Sequence, residues 1–236
     1  MSEWWTYTLA DIKSFSLQTY YRLFELYNAA IWPAQIVGIG AGLAIWALLG
    51  SRRHTWRGRA IAAILAGFWL WVAIAFHAHR YATLTWSARY YAWGFGLEAA
   101  LLLWAGVVRG RLVFERRLPG LAIFLFALVV QPLIGLLLGR TWRQVEIFGV
   151  APDPTAIATL GLLLLATGRV RWELMVVPLF WCAISGATLL SMKAPDAWIP
   201  LVAALLVVSL AAWRILARRR DRTPRGDNTS GLSLPH

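Results

Sequence analysis

A few ionisable and amide side chains interrupt the long apolar stretches of this chain, and chemistry could occur at these positions. Glu98 and Gln131 each lie about seven residues inside such a stretch, counted from the same side of the predicted bundle. Polar residues at this depth in a bilayer are costly and usually face the interior of a helix bundle. Because a buried carboxyl group can carry a proton or a cation, Glu98 is the leading candidate for a functional residue.

Other polar residues lie in the same half of the predicted spans. Glu25, Asn28 and Gln35, with Trp32 between the last two, recur at spacings of three and four residues, which would form one stripe on a continuous helix. Pro33 lacks a backbone donor, so it predicts a kink there. The functional interpretation is an outward-facing polar cavity lined by Glu98, Gln131, Gln35, Asn28, Trp32, His77, Asp153 and Thr155.

A second interpretation gives these side chains a structural role. Amide side chains commonly form hydrogen bonds between transmembrane helices, worth about 0.6 kcal/mol each. This interpretation is favoured for Gln35 and Gln131, whereas the functional one is favoured for Glu98, which is ionisable. His77 closes a predicted span, where a histidine is most often a hydrogen-bonded end group.

Composition predicts the elements that must position these residues. Of the 236 residues, 59% are hydrophobic and 14% are charged, against about 25% charged in a soluble domain. Too little polar surface remains to cover a water-soluble globule. The sequence therefore predicts an all-α, polytopic membrane helix bundle, and its net charge of +12 reflects membrane topology instead of nucleic-acid binding.

Seven apolar stretches have roughly the 17 to 25 residues that a helix needs to cross the hydrocarbon core. The fifth is the shortest and follows Pro152 and Pro154; without it the count would be six. The predicted spans are 31–50, 60–77, 91–108, 119–138, 155–168, 174–192 and 198–213.

The arrangement of basic residues predicts the orientation. Most of the 23 Lys and Arg residues lie at 51–59, 109–117, 169–171 and 214–225. Since positive charge stays with the cytoplasm, the N-terminus is predicted outside and the C-terminus inside, in a bacterial inner membrane. The charge bias alternates through all seven spans, which favours a full crossing by the fifth.

The two ends of the chain are predicted to differ from the seven-helix domain at 31–213. Residues 1–30 are predicted to hold an amphipathic helix on the outer membrane surface, or one packed under a loop of the same protein. Residues 214–236 are predicted to be a disordered basic cytoplasmic tail, in which Arg218, Arg219 and Arg220 bind anionic lipid headgroups.

Several known chemistries find no support in the sequence. Cys182 is the only cysteine, so no internal disulfide or Cys/His metal motif can form. His77 and His79 are two residues apart on different helix faces, and the spacing of Ala73 and His77, typical of antenna bacteriochlorophyll ligands, often occurs by chance. The last span has no lysine for a retinal Schiff base, and no P-loop or hydrolase motif is present. No enzyme activity, metal or cofactor is predicted.

Several strings resemble an uncharacterised bacterial family of multi-pass membrane proteins, catalogued only as a domain of unknown function. They are YNAAIWPAQ (27–35), LWAGVVRGR (103–111), PLIGLLLG (132–139), and FGVAPDPT with TLGLLLLA (148–166). In that family a Cys commonly stands where Asp153 is here, and a His where this chain has Arg140. The resemblance implies a fold and a location but no activity, and the two departures weaken any soft-metal site.

Two functions are predicted as alternatives. The first is transport or sensing of a small solute or ion through the polar cavity around Glu98. The second is a non-catalytic membrane subunit that scaffolds a larger complex, suggested by the tryptophan-rich surface and the basic tail. The expected partners are the lipid bilayer, another membrane protein or a second copy of the chain; a membrane-embedded enzyme would require clustered acids or histidines that the sequence does not reveal.

Overall fold

The computed structural model describes residues 16–51 and 55–220 and confirms the all-α fold class. Two π-helical segments, Val72–Arg80 and Leu103–Val108, continue α3 and α4, and a third, Phe126–Val130, joins α5 to α6. The helices are α1 Leu17–Ala30, α2 Ala34–Gly50, α3 Thr55–Trp71, α4 Ala88–Leu102, α5 Leu118–Leu125, α6 Gln131–Leu137, α7 Pro152–Leu165, α8 Trp172–Ser191 and α9 Trp198–Arg220.

Within these ranges, five continuous helical segments are long and apolar enough to cross a membrane. A sixth crossing results if α1 and α2, which meet at an angle of 87°, form one broken span. The fifth predicted span is α7, whose 14 residues reach only about 21 Å of a hydrocarbon core about 30 Å thick. The count of seven full crossings is therefore not confirmed, and the orientation stays a prediction. The five segments are Trp56–Thr83, Ala88–Val108, Leu118–Leu137, Trp172–Ser191 and Trp198–Arg218.

The short helix α7 is the centre of the bundle. All of its residues are buried, and it packs against α3, α5, α8 and α9. It approaches α5 closely because glycines stand at the contact: a Cβ atom on Gly161 would lie 2.7 Å from the amide nitrogen of Phe124. Protein instead of lipid surrounds α7, so it does not need the length of a spanning helix.

Prolines mark three breaks in the helices, as the sequence predicts. Pro33 stands at the bend between α1 and α2. Pro132 lies in the first turn of α6, directly after the π-helical segment, where its missing N–H interrupts the hydrogen-bond ladder. Pro152 begins α7, a position where proline is favoured because its N–H would have no helical partner. The third break places Asp153 in the first turn of α7.

The apolar face of α1 lies against protein, which agrees with the second of the two interpretations made for the N-terminal helix. Phe24 stacks on Phe76 with ring centroids 5.0 Å apart. The Tyr27 hydroxyl donates to the carbonyl of Val150, at 2.8 Å, in the loop before α7. The N-terminal segment 1–30, in which this helix was predicted, falls partly outside the described residues, which begin at Ser16.

Helix α9 continues past the predicted domain boundary at 213. It extends to Arg220, and Arg214 is buried and donates to the carbonyls of Leu164 and Ala166 at 3.2 and 2.6 Å. The predicted start of a disordered tail at 214 is therefore wrong, because these hydrogen bonds tie the last turns of α9 to the end of α7. The rest of the tail, 221–236, lies outside the described residues.

The three tail arginines that were predicted to bind lipid headgroups are in different situations. The Arg218 guanidinium donates to the carbonyl of Gly168. Arg220 is exposed, and the side chain of Arg219 lies outside what the structure describes. Their binding to headgroups stays a prediction.

Candidate functional site

Asn28 and Gln35 fasten the bend between α1 and α2. The Gln35 side-chain amide donates to the backbone carbonyl of Asn28 at 2.8 Å. The Asn28 amide donates in turn to the carbonyls of Arg143 and Val145 at 2.8 and 3.0 Å. These contacts fit the structural interpretation, since Gln35 donates to a carbonyl at the bend and Asn28 joins the bend to the loop before α7.

The continuous stripe considered for Glu25, Asn28, Trp32 and Gln35 does not form, because the 87° bend separates its two halves. Trp32 is 59% exposed at the bend and does not share a buried site with the others. Glu25 forms a surface ion pair with Arg22 at 2.6 Å. Of the four, only Asn28 and Gln35 remain together.

Thr155 completes the turn that precedes α7. Its hydroxyl donates to the carbonyl of Ala151 at 2.6 Å and accepts from the amide of Gly149 at 2.9 Å. One turn later, Thr159 repeats the first bond with the carbonyl of Thr155 at 2.8 Å and accepts from the Trp69 indole at 2.9 Å. The Thr155 side chain therefore fixes the position of the first turn of α7.

Glu98 and His77 are fully buried, and the described residues offer no hydrogen-bond partner to the carboxylate oxygens of Glu98 or to the ring nitrogens of His77. Glu98 faces protein instead of acyl chains. The His77 ring lies among aromatic rings, with centroids 4.4 Å from Phe95 and 4.8 Å from Trp181. Both residues are candidates for a proton-binding role because each has a titratable side chain that is buried without a hydrogen-bond partner among the described residues.

A second group of charged residues meets at the end of the bundle where α7 and α9 begin. The Arg140 guanidinium donates to Glu146 at 3.3 Å and to Asp196 at 2.5 Å. Its third contact is Tyr21 of α1, whose ring centroid lies 4.2 Å from the guanidinium carbon. All three charged side chains are buried, so both ion pairs of Arg140 are shielded from solvent.

Asp153 brings a third carboxylate to the same place. It lies in the first turn of α7, where the helix dipole favours a negative charge. Its two oxygens accept from the Trp181 indole and the Ser185 hydroxyl, each at 2.7 Å. Arg140, Glu146, Asp153 and Asp196 are together called the carboxylate cluster below.

The carboxylate cluster lines a small cavity together with Gln131. The cavity volume is about 10 Å³, which is close to the room that one water molecule needs. One oxygen each of Gln131, Glu146 and Asp196 has no hydrogen-bond partner among the described residues, and all three residues are at least nine-tenths buried. The cavity therefore presents unsatisfied acceptors to whatever enters it.

The charges of the cluster do not balance. The cluster holds three carboxylates and one guanidinium, which pairs with Glu146 and Asp196 and does not lose its proton in proteins. Burial raises the pKa of the Glu146 carboxyl well above its usual range, the nearby charge of Asp153 raises it further, and Arg140 opposes the shift. Over the described ranges, no group of three or more His, Cys, Asp or Glu side chains is arranged to hold a metal ion. Because a proton would neutralise one of the carboxylates that the guanidinium does not offset, the arrangement is suited to binding a proton.

Sequence reasoning found Asp153 and Gln131 but missed Arg140, Glu146 and Asp196. These three lie in the loops between predicted spans, where a charged residue usually faces water. The available signal was the scarcity of acids: the chain has 11 Asp and Glu residues, and an acid beside the end of a span is a candidate for burial. Arg140 and Asp153 both line this one cavity.

The chain belongs to the family of unknown function DUF6064, whose model matches residues 17–222. This match confirms the resemblance to a family catalogued only by its unknown function. No curated protein and no solved structure matches the chain.

Proposed function

We propose that this protein transports or senses a small solute or ion across a membrane and that the carboxylate cluster couples this function to the binding and release of a proton. One observation carries the proposal: three buried carboxylates and a single arginine line one small polar cavity, and the arginine pairs with only two of the three. The proposal is also supported by the helices that are long and apolar enough to cross a membrane.

The charge imbalance supplies the reason for proton binding. If all three carboxylates are ionised, the cluster carries a net charge of minus two, because it contains one arginine. Burial makes such charges expensive, and neighbouring carboxylates raise the cost for one another. Binding a proton removes one of these charges, and the proton belongs to the group as a whole because the sites are coupled.

The position of the cluster gives it access to one side of the bundle. Residues 141–143, which follow Arg140 directly, are exposed. Glu146 and Asp196 lie in loops instead of spans, and Gln131 lines the cavity from the start of α6. A small opening of these loops would expose the cavity to water.

Trp181 connects the cluster to the interior of the bundle. Its indole N–H donates to Asp153, and its ring packs against the His77 ring with a centroid distance of 4.8 Å. A change in the charge of Asp153 would therefore change the hydrogen bond of Trp181, whose ring contacts His77. This contact supports a link between the cluster and the buried groups His77 and Glu98 that the sequence singled out.

The test is proton movement by the full-length protein reconstituted in vesicles containing a pH-sensitive dye. Asp153→Asn is expected to reduce proton-coupled flux, measured across a panel of small solutes and ions, roughly hundredfold, because it removes a buried proton-binding group. Glu173→Gln is the matched control, since Glu173 pairs with Arg169 on the surface at 2.6 Å. Equal flux in the wild type, Asp153→Asn and Glu173→Gln would overturn the proposal.

The alternative of a scaffold subunit has its own supporting observation. Trp86 and Trp93 are 77% and 80% exposed, more than an isolated soluble protein usually allows for such large side chains. Membrane interfaces also favour exposed tryptophan, so the measurement that separates the two is purification in a mild detergent. A stoichiometric partner protein would favour the scaffold, and a single species would favour the transport proposal.

A further inference from the structure

A long apolar groove lies between α5 and α9, with Ile157 of α7 at its base. Its volume is about 410 Å³, within the range of roughly 300–1,000 Å³ that is typical of ligand pockets. Apolar side chains form essentially all of its lining, from Trp198 at the start of α9 to Leu210 near its end. The groove is open on the side away from α7, so its occupant must come from the surroundings of the bundle.

The length of the groove matches one half of a bilayer. From Trp198 to Leu210, α9 rises about 18 Å at 1.5 Å per residue. One leaflet contributes about 15 Å of hydrocarbon to the core of a membrane. An extended acyl chain therefore fits the groove along its length.

Three arginines stand at one end of this groove. Pro119 and Leu210 line the groove there; Arg117 precedes Pro119 by two residues, and Arg214 follows Leu210 by one helical turn. Arg117 and Arg218 lie close enough to Arg214 for their charges to repel it. Arg117, Arg214 and Arg218 are called the arginine pole below.

The arginine pole has an excess of positive charge. Glu115 offsets part of it through a contact with Arg117 at 3.3 Å, and Arg214 and Arg218 donate to backbone carbonyls, which carry no full charge. Two positive charges therefore remain at the mouth of an apolar groove. A headgroup with a net negative charge would be attracted to this place more strongly than a zwitterionic one, whose phosphate is offset by its own cation.

We infer that the groove and the arginine pole together bind one anionic phospholipid. Its acyl chain occupies the groove between α5 and α9, and its phosphate contacts Arg117 and Arg218. A transmembrane helix of another protein could also cover the groove, but its apolar surface would leave the charge of the pole without a partner. This inference does not rest on the proposed function, since neither the lining of the groove nor the arginine pole includes a residue of the carboxylate cluster.

The test is the binding of phosphatidylglycerol and phosphatidylcholine with identical acyl chains to the full-length protein in detergent, measured by native mass spectrometry. The wild type is expected to prefer phosphatidylglycerol. The double variant Arg117→Gln/Arg218→Gln should lower its affinity for phosphatidylglycerol roughly thirtyfold, since each basic residue beside an anionic headgroup contributes about fivefold. Arg80→Gln/Arg89→Gln, which removes two charges near the start of α4, is the control and should retain the preference.

A second pair of variants tests the acyl-chain part of the site without changing charge. Ala122 is exposed and lines the groove, so Ala122→Trp should fill it and weaken binding of both lipids. Ala44 is exposed on α2, outside the groove, and Ala44→Trp should leave binding unchanged. Equal binding of the two lipids by the wild type, or unchanged phosphatidylglycerol binding in both the double arginine variant and Ala122→Trp, would overturn the inference.

Discussion

The carboxylate cluster and the arginine pole lie at opposite ends of α7 and α9 and use arginine in different ways. In the cluster, Arg140 donates to two carboxylates, at 3.3 and 2.5 Å. In the pole, Arg214 donates to backbone carbonyls near the end of α7, at 3.2, 2.6 and 3.0 Å. A carboxylate can gain or lose a proton, whereas a carbonyl cannot. The same side chain therefore takes part in a titratable site at one end and in a fixed structural contact at the other.

Helix direction explains which charge collects at which end. A helix favours negative charge near its N-terminus and positive charge near its C-terminus. Asp153 lies in the first turn of α7, and Arg214 contacts the carbonyls at its C-terminal end. Asp196 and Arg214 lie in the same order along α9. Because α7 and α9 run in the same direction, their N-termini place acidic residues at one end of the bundle and their C-termini place basic residues at the other.

The largest effect that would test this comparison is expected from Arg140→Met. Removing the guanidinium leaves three buried carboxylates without a cation, which should lower the free energy of unfolding by about 3–5 kcal/mol at neutral pH. The loss should shrink in acid, because protonated carboxyl groups no longer need the cation. Reversible unfolding in mixed micelles at several pH values measures both effects.

The control for this prediction is Arg169→Met, which removes a surface arginine paired with Glu173 and should change stability by less than about 1 kcal/mol. A loss of stability in Arg140→Met that does not depend on pH would contradict the role assigned to the carboxylates.

Arg214→Met should produce a smaller loss, of about 2–3 kcal/mol, because it leaves the carbonyls at the end of α7 without their charged donor. This loss should be the same at every pH from 5 to 8, since carbonyls do not titrate. The same unfolding experiment measures it. If the loss in Arg214→Met varied with pH as that in Arg140→Met does, the distinction between the two ends would fail.

The smallest expected effect is in Glu146→Gln. Because burial and then Asp153 raise the pKa of Glu146, the folded state keeps a proton that the unfolded state releases above about pH 4.5. The contribution of Glu146 to stability therefore falls as pH rises toward its folded pKa, and the pH–stability curve slopes downward in this range. Glu146→Gln should remove this slope, which comparison of the pH–stability curves of the two proteins would detect; parallel curves would contradict the raised pKa.

Some of the site was open to prediction from sequence because the signal was local. An ionisable residue inside an apolar stretch can be recognised from the sequence as a candidate for burial. Glu98 and His77 are both fully buried. Pro33 predicted the bend of the first span, since a missing N–H acts on the adjacent turn. The loop residues gave no such signal, because charge next to a span usually means contact with water or headgroups.

The sequence by itself determined that this is an all-α bundle with helices able to cross a membrane, because the length and polarity of each apolar stretch are local properties. Only the tertiary structure decided that α7 is a buried central helix and that Arg140 meets Asp196, 56 residues away along the chain. The physical reason is that burial of a loop charge depends on which segment covers it. Hydropathy along the chain carries no information on that contact.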